Sequence, residues 1–494
     1  MWLNLIIFIL FFPLFFVRWI LWLAIFQQKE YRVDRLRAYL KTSQGKTDII
    51  KLWPSVQDFS RESLKRPKLT ARVVVLVLFS AGLIILPLKF VFSWRFYQAG
   101  LSLLILLAAV PLMIFLANIP LVLFKTFLTS VFLWLAKHKI KLAAPTIIGI
   151  TGSYGKTSTK HLLCHILSSQ AGVFASARSF NTPLSLSLDI LRRYKKEKIV
   201  ILEYAAYKPG EIKKLANIFQ PHLAIITGFT TQHLATFGTR EKIIQAKAEL
   251  ILALPAKSTV FFNQDDEGVR AIVDYALSQS STELEYQPFV ASTEDDTTIE
   301  PQIDNKGRLK LYIDQYPTQS QLIGKHYLSI ILGAAVVAKH LKVSSKQIAT
   351  AISTFKPDNS FVKFFRHQQG FWVIDDGRTS NPVGFEAALD LAEQLLEKRQ
   401  FTGNCVLFTC GIVDLGEVSK TTHQKLAKKA IKVFSQVAYL GEPGRKEFRE
   451  VYQDKLLENK EKIKALLPLL TVNDLVLVEG RLPIWLATSL EINQ

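Results

Sequence analysis

The chain has 494 residues, 49% of them hydrophobic, so it is long enough to build two or three separate cores. Its formal charge of +20 is compatible with nucleic-acid binding. No recognition helix, zinc-ligand spacing or aromatic-basic signature accompanies that charge, so we predict no nucleic-acid partner. The three cysteines, Cys164, Cys405 and Cys410, are too few and too poorly spaced for a disulfide framework or a zinc site.

Nearly all the long apolar runs lie within residues 1–140, which predicts a membrane module. Its predicted spans are residues 3–26, 73–92 and 99–136. Arg18 interrupts the first span, and we expect its side chain to snorkel to the interface. The third run contains Pro111 and Pro120 and is too long for one straight crossing of ~30 Å of hydrocarbon. It therefore forms either one span plus an interfacial helix or two spans.

The segment between the first two spans, residues 27–72, is strongly basic. Basic segments beside spans stay on the cytoplasmic side and attract anionic lipids. A phosphate-binding loop at residues 152–158, described below, follows the module and must also face cytoplasmic ATP. Three spans with the N-terminus outside satisfy both conditions, whereas four spans would place the basic loop outside. We therefore expect a multi-pass protein of the cytoplasmic membrane, with membrane lipids as partners and its catalytic part in the cytoplasm.

After the apolar runs, the sequence TIIGITGSYGKTSTKHLLCHIL joins a short β-branched strand, a glycine-punctuated turn and a segment with helical spacing. That order lets backbone N–H groups and a helix N-terminus face a phosphate. Lys156 is placed to reach the terminal phosphates of ATP, and Thr157 or Ser158 to meet Mg²⁺. The nucleotide-binding residues predicted in this loop are Gly152, Ser153, Gly155, Lys156, Thr157 and Ser158.

Three further polar residues occupy positions typical of functional sites. Glu203 closes the strand IVILE at a carboxyl end, where α/β sheets place ligands and metals. His233 follows the strand LAIIT in a loop, a common place for a functional residue. Lys247 lies in the helical segment IIQAKAELIL. From the residues alone, each also has an ordinary interpretation: a strand-end acid, a turn histidine and a solvated helix lysine.

The motifs after the loop form an ordered series: VILEYAAYKPGEIKKLANIFQ, FNQDD, IGKHYLSIILGAAVVAKHL, VIDDGRTSNPVGFEAALDLA and GIVDLGEVSKTTH. Together with GITGSYGKTSTK, they resemble the Mur ligases, the amide-forming enzymes of peptidoglycan assembly, and most closely the members that add D-alanyl-D-alanine. The resemblance implies an α/β protein in which N-terminal transmembrane helices precede two domains. These are a Mur-ligase-type P-loop ATPase domain, residues 141–362, and a C-terminal Rossmann-like domain, residues 363–494.

The resemblance also implies roles for individual residues. A carbamylated Lys247 would hold a second Mg²⁺ near the transferring phosphate, and His233 would serve the metal or phosphate site. His326 and Asp376 would contact the nucleotide, with Asp376 on its ribose side. The implied catalytic residues are Lys156, Lys247 and His233, and the implied metal ligands are Thr157, Glu203, His233 and Lys247.

The implied reaction transfers the γ-phosphate of ATP to a carboxylate and then joins the acyl group to an amine. Its implied substrates are a UDP- or lipid-linked muropeptide acceptor and an amino acid or a dipeptide such as D-alanyl-D-alanine. Two other functions fit a phosphate loop beside a bilayer: a membrane-attached lipid or sugar kinase, and a non-catalytic relative that binds nucleotide and scaffolds envelope enzymes. A simple kinase needs neither Lys247 nor the C-terminal domain.

The chain departs from the family pattern at four places. Tyr327 and Ile330 stand where the adenine-side motif has asparagines, and neither side chain offers an amide for hydrogen bonding to a base. Ser360-Phe361 replaces a glycine-arginine pair, and Glu479-Gly480-Arg481 replaces Lys-Gly-Ser. Membrane spans also replace the soluble N-terminal domain that holds the UDP end of the substrate, which favours an acceptor that is lipid-linked or held by another protein.

Overall fold

The protein is described here by a computed structural model that covers residues 2–41, 43–51, 67–91, 96–170, 172–206, 208–231, 234–291, 301–378, 380–399, 401 and 403–492. The chain divides into two compact units, Met1–Val131 and Phe132–Gln494. The first unit is helical. Its helices are α1 (Trp2–Gln28), α2 (Val33–Lys41), α3 (Ser43–Ile50), α4 (Ala71–Val91) and the first part of α5 (Phe96–Ala143).

Helix α5 continues without a break through Pro111 and Pro120 for 48 residues. The interpretation of this run as two separate spans is therefore wrong. At 1.5 Å per residue the helix is about 72 Å long, far more than a bilayer core needs. Among the described residues, Leu101–Ala143 is long and apolar enough to cross a membrane, and shorter apolar helices cover Phe12–Gln28 and Ala71–Ile85. Three spans remain a prediction.

Arg18, which the sequence allows to snorkel to the interface, is buried within the protein, with 4% of its surface exposed. Its Nε donates to the carbonyl of Leu107 at 3.0 Å. That carbonyl has lost its usual helical donor because the residue four positions later is Pro111, which has no N–H. A second guanidinium nitrogen donates to the carbonyl of Ile49 at 3.0 Å, at the end of α3. Arg18 thus satisfies backbone carbonyls that would otherwise be unpaired in an apolar environment.

The second unit is built on two six-stranded sheets and one small antiparallel sheet. The first sheet is entirely parallel, in the order β2-β3-β1-β4-β5-β6. Its strands are β1 (Thr146–Thr151), β2 (Val173–Ala175), β3 (Ile199–Glu203), β4 (Leu223–Ile226), β5 (Thr259–Asn263) and β6 (Glu285–Phe289). Its helices are α6 (Lys156–Leu167), α7 (Pro183–Arg193), α8 (Glu211–Phe219), α9 (Leu234–Phe237), α10 (Arg240–Leu252) and α11 (Glu267–Gln279).

Strand β1 lies between β3 and β4, so the carboxyl ends of these three strands share one edge of the sheet. Ile150 pairs with Glu203, and Thr151 pairs with Ile226. The phosphate loop, Glu203 and the loop after β4 consequently meet there. The last turns of α5 pack on the same unit, where Lys139 Nζ donates to the carbonyls of Ile190 and Leu191 at the end of α7, at 3.0 and 2.9 Å.

The rest of the unit begins with an antiparallel sheet that the sequence did not predict. It consists of β7 (Gln302–Ile303), β8 (Arg308–Ile313) and β9 (Tyr316–Ile323), and is followed by α12 (Leu328–His340) and α13 (Ser345–Thr354). The second six-stranded sheet has the order β10-β11-β15-β12-β13-β14. Its strands are β10 (Lys363–Arg366), β11 (Trp372–Asp376), β12 (Cys405–Thr409), β13 (Gln436–Tyr439), β14 (Leu456–Leu457) and β15 (Leu475–Glu479).

The sequence segments FWVID, CVLFTCG, VAYLG and LVLVEG, which predict strands, correspond to β11, β12, β13 and β15. Strand β10 precedes β11 and pairs with it antiparallel. The helices of this part are α14 (Pro382–Arg399), α15 (Ser419–Ala430), α16 (Arg445–Tyr452), α17 (Lys460–Leu466) and α18 (Ile484–Ser489). Parallel strands alternating with helices give the Rossmann-like arrangement that the sequence predicted.

Candidate active site

The phosphate loop has the predicted strand–turn–helix form. Strand β1 ends at Thr151 and α6 begins at Lys156, with Gly155 as its N-cap in a left-handed conformation at φ 79°. That conformation strains any residue with a Cβ. A Cβ at Gly152 would collide with the hydroxyl of Thr227, so this glycine allows β4 to approach the loop. The first turn of α6, which holds Ser158, leaves its N–H groups directed at a site for phosphate.

Lys156 folds back over its own loop. Its Nζ donates to the carbonyls of Gly152 and Ser153 at 2.8 and 3.0 Å. Burial lowers the pKa of this ammonium, and the carboxylate of Glu203 acts in the opposite direction. Lys156 Nζ lies at the mouth of the loop, in hydrogen-bonding geometry that phosphate oxygens can replace.

Glu203 is the centre of a buried polar cluster. Its Oε2 accepts a hydrogen bond from Thr157 Oγ1 at 2.8 Å, and its Oε1 accepts one from Asn181 Nδ2 at 3.2 Å. Lys160 Nζ makes an ion pair with Oε2 at 3.2 Å, and both side chains are almost fully buried. Sequence reasoning missed Lys160 and Asn181. The available signal for Lys160 was its position one helical turn after Lys156, on the same face of α6.

The Thr157 and Glu203 oxygens fit Mg²⁺, which prefers oxygen ligands and commonly takes one or two protein ligands beside water and phosphate oxygens. Among the described residues, no three His, Cys, Asp or Glu side chains form a group that could hold a metal alone. Thr157 and Glu203 would supply two ligands of such a metal and leave its other positions to water and phosphate oxygens. Lys160 is the cation that balances Glu203 in the structure.

Lys247 lies on α10 with only 5% of its surface exposed, so the ordinary interpretation as a solvated lysine is wrong. Burial lowers its pKa to about 7, and the nearby charge of Lys156 acts in the same direction. The carboxylates of Glu203 and Glu249 partly oppose that shift. At neutral pH a large fraction of this amine is uncharged, which is the form that reacts with CO₂. The environment of Lys247 therefore fits a carbamylated lysine.

Glu249 lies on α10 two residues after Lys247, and its side chain binds the turn formed by the sequence PGEI, residues 209–212. Its Oε2 accepts the backbone N–H of Lys213 at 2.9 Å, and its Oε1 accepts that of Gly210. These N–H groups belong to the first turn of α8, which has no side-chain cap of its own. Helix α10 is thereby held in place by the motif that precedes it, and its orientation buries Lys247.

The loop after β4 packs directly on the phosphate loop. Ser153 donates from its backbone N–H to the carbonyl of Gly228 at 2.6 Å, and from its hydroxyl to the carbonyl of Thr230 at 3.1 Å. Asp266, at the start of α11, accepts from the Tyr154 hydroxyl at 3.0 Å and from the backbone N–H of Phe229 at 2.8 Å. This aspartate of the FNQDD motif was not assigned a role from the sequence. His233 lies outside the described residues, so its metal or phosphate role stays a prediction.

On the predicted base side, the chain uses its departures from the family pattern to pack a core. The Tyr327 hydroxyl accepts the backbone N–H of Val362 at 3.0 Å. Its ring centroid lies 5.7 Å from that of Phe361. Ile330 is buried beneath the phosphate loop, near Gly155. Tyr327 and Phe361, which replace an asparagine and an arginine of the pattern, are therefore packed against each other.

His326 is adjacent to this aromatic pair, in a 3₁₀ turn at Lys325–Tyr327. Its ring centroid is 4.2 Å from that of Tyr327. Burial lowers the pKa of His326 to about 4, so the ring is neutral at pH 7. A neutral ring beside Tyr327 presents a flat, uncharged surface, which suits contact with a base.

Asp376 and Glu479 end the adjacent parallel strands β11 and β15 and face each other in register. Glu479 is completely buried, and its Oε1 accepts a hydrogen bond from Ser380 at 2.7 Å. Burial and the neighbouring Asp375 raise the pKa of Asp376 to about 7, and burial beside Asp376 raises that of Glu479 well above its usual value. The pair therefore retains a proton near neutral pH. The predicted ribose residue is thus paired with a residue that departs from the family pattern.

Comparisons with known proteins agree with this geometry. Residues 150–338 match the family model of the Mur ligase middle domain. The UDP-N-acetylmuramoyl-tripeptide–D-alanyl-D-alanine ligase of Mycobacterium bovis is 30% identical over 298 residues, which are 58% of this chain and 56% of that relative. A structure of MurF from Thermotoga maritima in complex with ADP has a TM-score of 0.60 and 25% identity, covering 72% of this chain and 80% of that one.

A structure of MurF from Acinetobacter baumannii shares the fold, with a TM-score of 0.62 at 22% identity over 74% of this chain and 79% of that one. The parallel sheet with its strand–loop–helix turn defines a nucleotide-binding protein of the P-loop class. Residues 150–338 are similar to the Mur ligase middle domain, and the second unit resembles MurF in its fold. The match to the Mycobacterium bovis relative spans little more than half of that protein's length.

Proposed function

We propose that the protein is an ATP-dependent amide-forming ligase of the MurF type that works at the cytoplasmic face of the membrane. One observation carries the proposal: the buried Lys247, whose pKa is near 7, lies beside Lys156 and Glu203. A nucleotide kinase or a simple nucleotide-binding loop does not need a second buried lysine beside the phosphate loop. A ligase that holds two metals about a transferring phosphate needs such a lysine as a metal ligand.

Mg²⁺, when bound, supplies positive charge that neutralises the phosphate oxygens during transfer. Thr157 and Glu203 would hold one ion, and carbamylated Lys247 with His233 would hold the second. Carbamylation joins the neutral amine of Lys247 to the carbon of CO₂ and releases one proton. With the proton that the ammonium loses first, the side chain changes from a cation to an anion. Lys156 stabilises the charge that develops between the β- and γ-phosphates.

The reaction has two steps. A carboxylate oxygen of the acceptor attacks the γ-phosphorus, and ADP leaves, which gives an acyl phosphate. The nitrogen of the amine then attacks the acyl carbon, phosphate leaves, and the nitrogen loses a proton to form the amide. The resemblance to MurF favours a muropeptide acceptor and a dipeptide such as D-alanyl-D-alanine as the amine.

The helical first unit supports a membrane location. Helix α5 contains an apolar stretch long enough to span a bilayer and ends inside the core of the second unit. We propose three spans, with residues 27–72 and the second unit on the cytoplasmic side. A lipid-linked acceptor then fits better than a soluble one, because the active site is tethered where such lipids lie.

The decisive experiment measures phosphate release by the full-length protein in detergent. Amines would be screened with UDP-linked and lipid-linked acceptors, and product would be identified by mass. We expect release to require both an acceptor and an amine, and to be lost in Lys156→Ala. Phosphate release that depends on neither substrate, or product formation by Lys156→Ala, would overturn the proposal.

A second candidate is a non-catalytic relative that binds nucleotide as a scaffold. The packing of Tyr327 against Phe361 favours it, because the side chains that would contact base and substrate are used in the core. The two candidates separate in one measurement. A scaffold binds ATP with the same affinity in wild type and Lys247→Ala and forms no product in either, whereas the ligase forms product only with Lys247 in place.

A further inference from the structure

Polar and charged side chains from three helical segments of the first unit lie near one another, far from the candidate active site in sequence. We call these residues the interfacial cluster: Tyr31, Arg32, Arg72, Asn118 and Lys125. Tyr31 and Arg32 follow the end of α1, and Arg72 is the second residue of α4. Asn118 and Lys125 are on α5.

The cluster is built around the guanidinium of Arg72. One of its terminal nitrogens donates to Asn118 Oδ1 at 3.0 Å. Its central carbon lies 4.0 Å from the centroid of the Tyr31 ring, in cation–π geometry. Asn118 Nδ2 in turn donates to the carbonyl of Tyr31 at 3.4 Å. Asn118 is only 2% exposed, so a buried amide on an apolar helix is committed to positioning Arg72.

The cluster carries an excess of positive charge. In the part of the chain that the structure describes, the charged neighbours of Lys125 include two cations, Arg72 and Arg32, and one carboxylate, Glu30. Glu30 already forms an ion pair with Arg35 at 2.7 Å. Like charges gathered at a surface of low polarity repel strongly unless an anion lies among them. An anionic group that joins these cations would reduce their mutual repulsion.

Two polar atoms in the cluster also indicate a further binding partner. Within the described residues, Arg72 Nε and the Tyr31 hydroxyl are buried and have no hydrogen-bonding partner. A buried donor left unpaired costs about 1–3 kcal/mol, and such atoms in native proteins usually mark a bound water or ion. Both atoms can donate a hydrogen bond to an oxyanion, and Arg presents its donors in a geometry that suits phosphate.

The depth of the cluster identifies the source of the anion. From Arg72, α4 continues as an apolar helix to Val91, about 30 Å at 1.5 Å per residue, which matches the hydrocarbon thickness. Arg72 therefore lies at the boundary between hydrocarbon and headgroups. Next to Lys125, the side chains of Leu123 and Phe124 are exposed, which offers an apolar surface to acyl chains. Phosphate beside such a surface belongs to a lipid.

We propose that the interfacial cluster is a binding site for the phosphate of an anionic lipid headgroup. This inference rests on the membrane location in the proposed function, but not on the ligase reaction. Arg72 and Lys125 bind the phosphate, Asn118 positions Arg72, and the strained turn at Glu30 and Tyr31, both at positive φ, places the aromatic ring beneath the guanidinium.

The test measures the thermal midpoint of the full-length protein in detergent, read by tryptophan fluorescence. Phosphatidylglycerol, phosphatidylcholine or inorganic phosphate would be added to each variant. We expect phosphatidylglycerol to raise the wild-type midpoint by a few degrees more than phosphatidylcholine, because a ligand of the native state stabilises it. Arg72→Gln and Lys125→Gln should lose that difference, and Asn118→Leu should reduce it although every charge remains.

Arg37→Gln is the matched control, since Arg37 is an exposed cation on α2 of the same unit. It should keep the full difference. If Arg37→Gln loses the difference between the two lipids to the same extent, the effect reflects the general positive charge of the unit. If inorganic phosphate alone gives an equal shift of the midpoint, the site binds a soluble anion. Either result overturns the proposal. If Arg72→Gln does not fold, the test relies on Lys125→Gln, because Lys125 is exposed and its replacement leaves the packing of the unit intact.

Carbonate extraction of wild-type membranes separates this inference from its premise. Release of the protein into the soluble fraction would overturn the membrane location, and the lipid site with it. Retention in the membrane without a preference for phosphatidylglycerol would overturn the lipid site alone.

Discussion

The phosphate end and the base end of the candidate active site are built in different ways. At the phosphate end, Thr157 and Glu203 contact each other as the sequence predicts, with Lys156 and Lys247 among their charged neighbours. At the base end, residues that depart from the family pattern contact one another or a predicted site residue. Tyr327 packs on Phe361, and Glu479 is paired with Asp376.

The departures at the base end are thus paired in space. Tyr327 and Phe361 bury each other's rings, with 5% and 4% of their surfaces exposed. The phosphate end keeps the contacts that the sequence predicts, whereas the base end is packed differently from the family pattern.

The largest effect should come from Lys247 at the phosphate end. Lys247→Ala removes the group that can become an anion, so product formation should fall at least about 100-fold, as for loss of one group that stabilises a transition state. Nucleotide affinity should change much less. Lys247→Arg should fail equally, because guanidinium keeps its positive charge and does not take up CO₂. The measurement is amine-dependent product formation under saturating ATP.

Lys242, an exposed lysine on the same helix, supplies the matched control, and Lys242→Ala should retain activity. A small carboxylic acid added to Lys247→Ala should restore part of the activity by occupying the vacated space as an anion. Full activity of Lys247→Ala, or an active enzyme whose Lys247 has the mass of unmodified lysine, would remove the metal-bridging role.

A second large effect concerns stability at the same end. Glu203→Gln leaves Lys160 as a buried cation without its ion-pair partner, and breaking a buried pair in this way costs about 3–5 kcal/mol. Lys160→Met combined with Glu203→Gln should recover much of that loss, since no buried charge remains. Denaturant unfolding of wild type, Glu203→Gln and the double variant tests this. If Glu203→Gln is as stable as wild type, the ion pair between Lys160 and Glu203 does not contribute to the stability of the protein.

The sequence predicted the first sheet and its phosphate loop well, because β-branched strands, glycines and helical spacing are local signals. It also placed Glu203 correctly, since strand ends in a parallel sheet share an edge. It did not predict that Lys247 is buried: its neighbours Ala246 and Ala248 are compatible with either face of a helix, and burial depends on how Glu249 ties α10 to the start of α8. Lys160 was missed for the same reason, because its partner is 43 residues away.

The C-terminal residues show the same limit. Asp376 was predicted from its motif, but Glu479 was recorded only as a departure from a pattern. Their pairing follows from the register of β11 and β15, which are neighbours in the sheet but are separated along the sequence by β12, β13 and β14. Register between distant strands is a tertiary property, so no local pattern reports it.

A moderate effect on stability is expected at the base end, where Tyr327 packs against Phe361. Tyr327→Phe removes the hydroxyl that accepts the Val362 N–H and should cost about 1–2 kcal/mol of unfolding free energy, because a buried donor is left unpaired. Phe361→Leu should cost a similar amount through lost packing. A double-mutant cycle between Tyr327→Leu and Phe361→Leu should give a coupling energy of about 1 kcal/mol, as for an aromatic pair. Additive losses would mean that the two departures are unrelated.

The smallest effect is a pH dependence at Asp376 and Glu479. Both carboxyls have raised pKa values in the folded state, that of Asp376 to about 7, so between about pH 4 and pH 7 the folded protein holds a proton that the unfolded chain has already lost. Stability contributed by the pair is therefore present at low pH and declines as the pH rises towards 7, by at most about 1.4 kcal/mol per pH unit for one proton.

Glu479→Gln removes one titrating group and lets the amide donate to Asp376, whose pKa should then fall. The variant should lose stability less steeply than wild type between pH 5 and pH 7, and should match or exceed it at pH 8. Ser380→Ala, which removes the hydrogen bond to Glu479 but no carboxyl group, is the matched control and should keep the slope of wild type. Parallel stability curves for wild type and Glu479→Gln would mean that the two carboxyls do not share a proton, and that Asp376 is available as a full carboxylate to accept hydrogen bonds from a ribose.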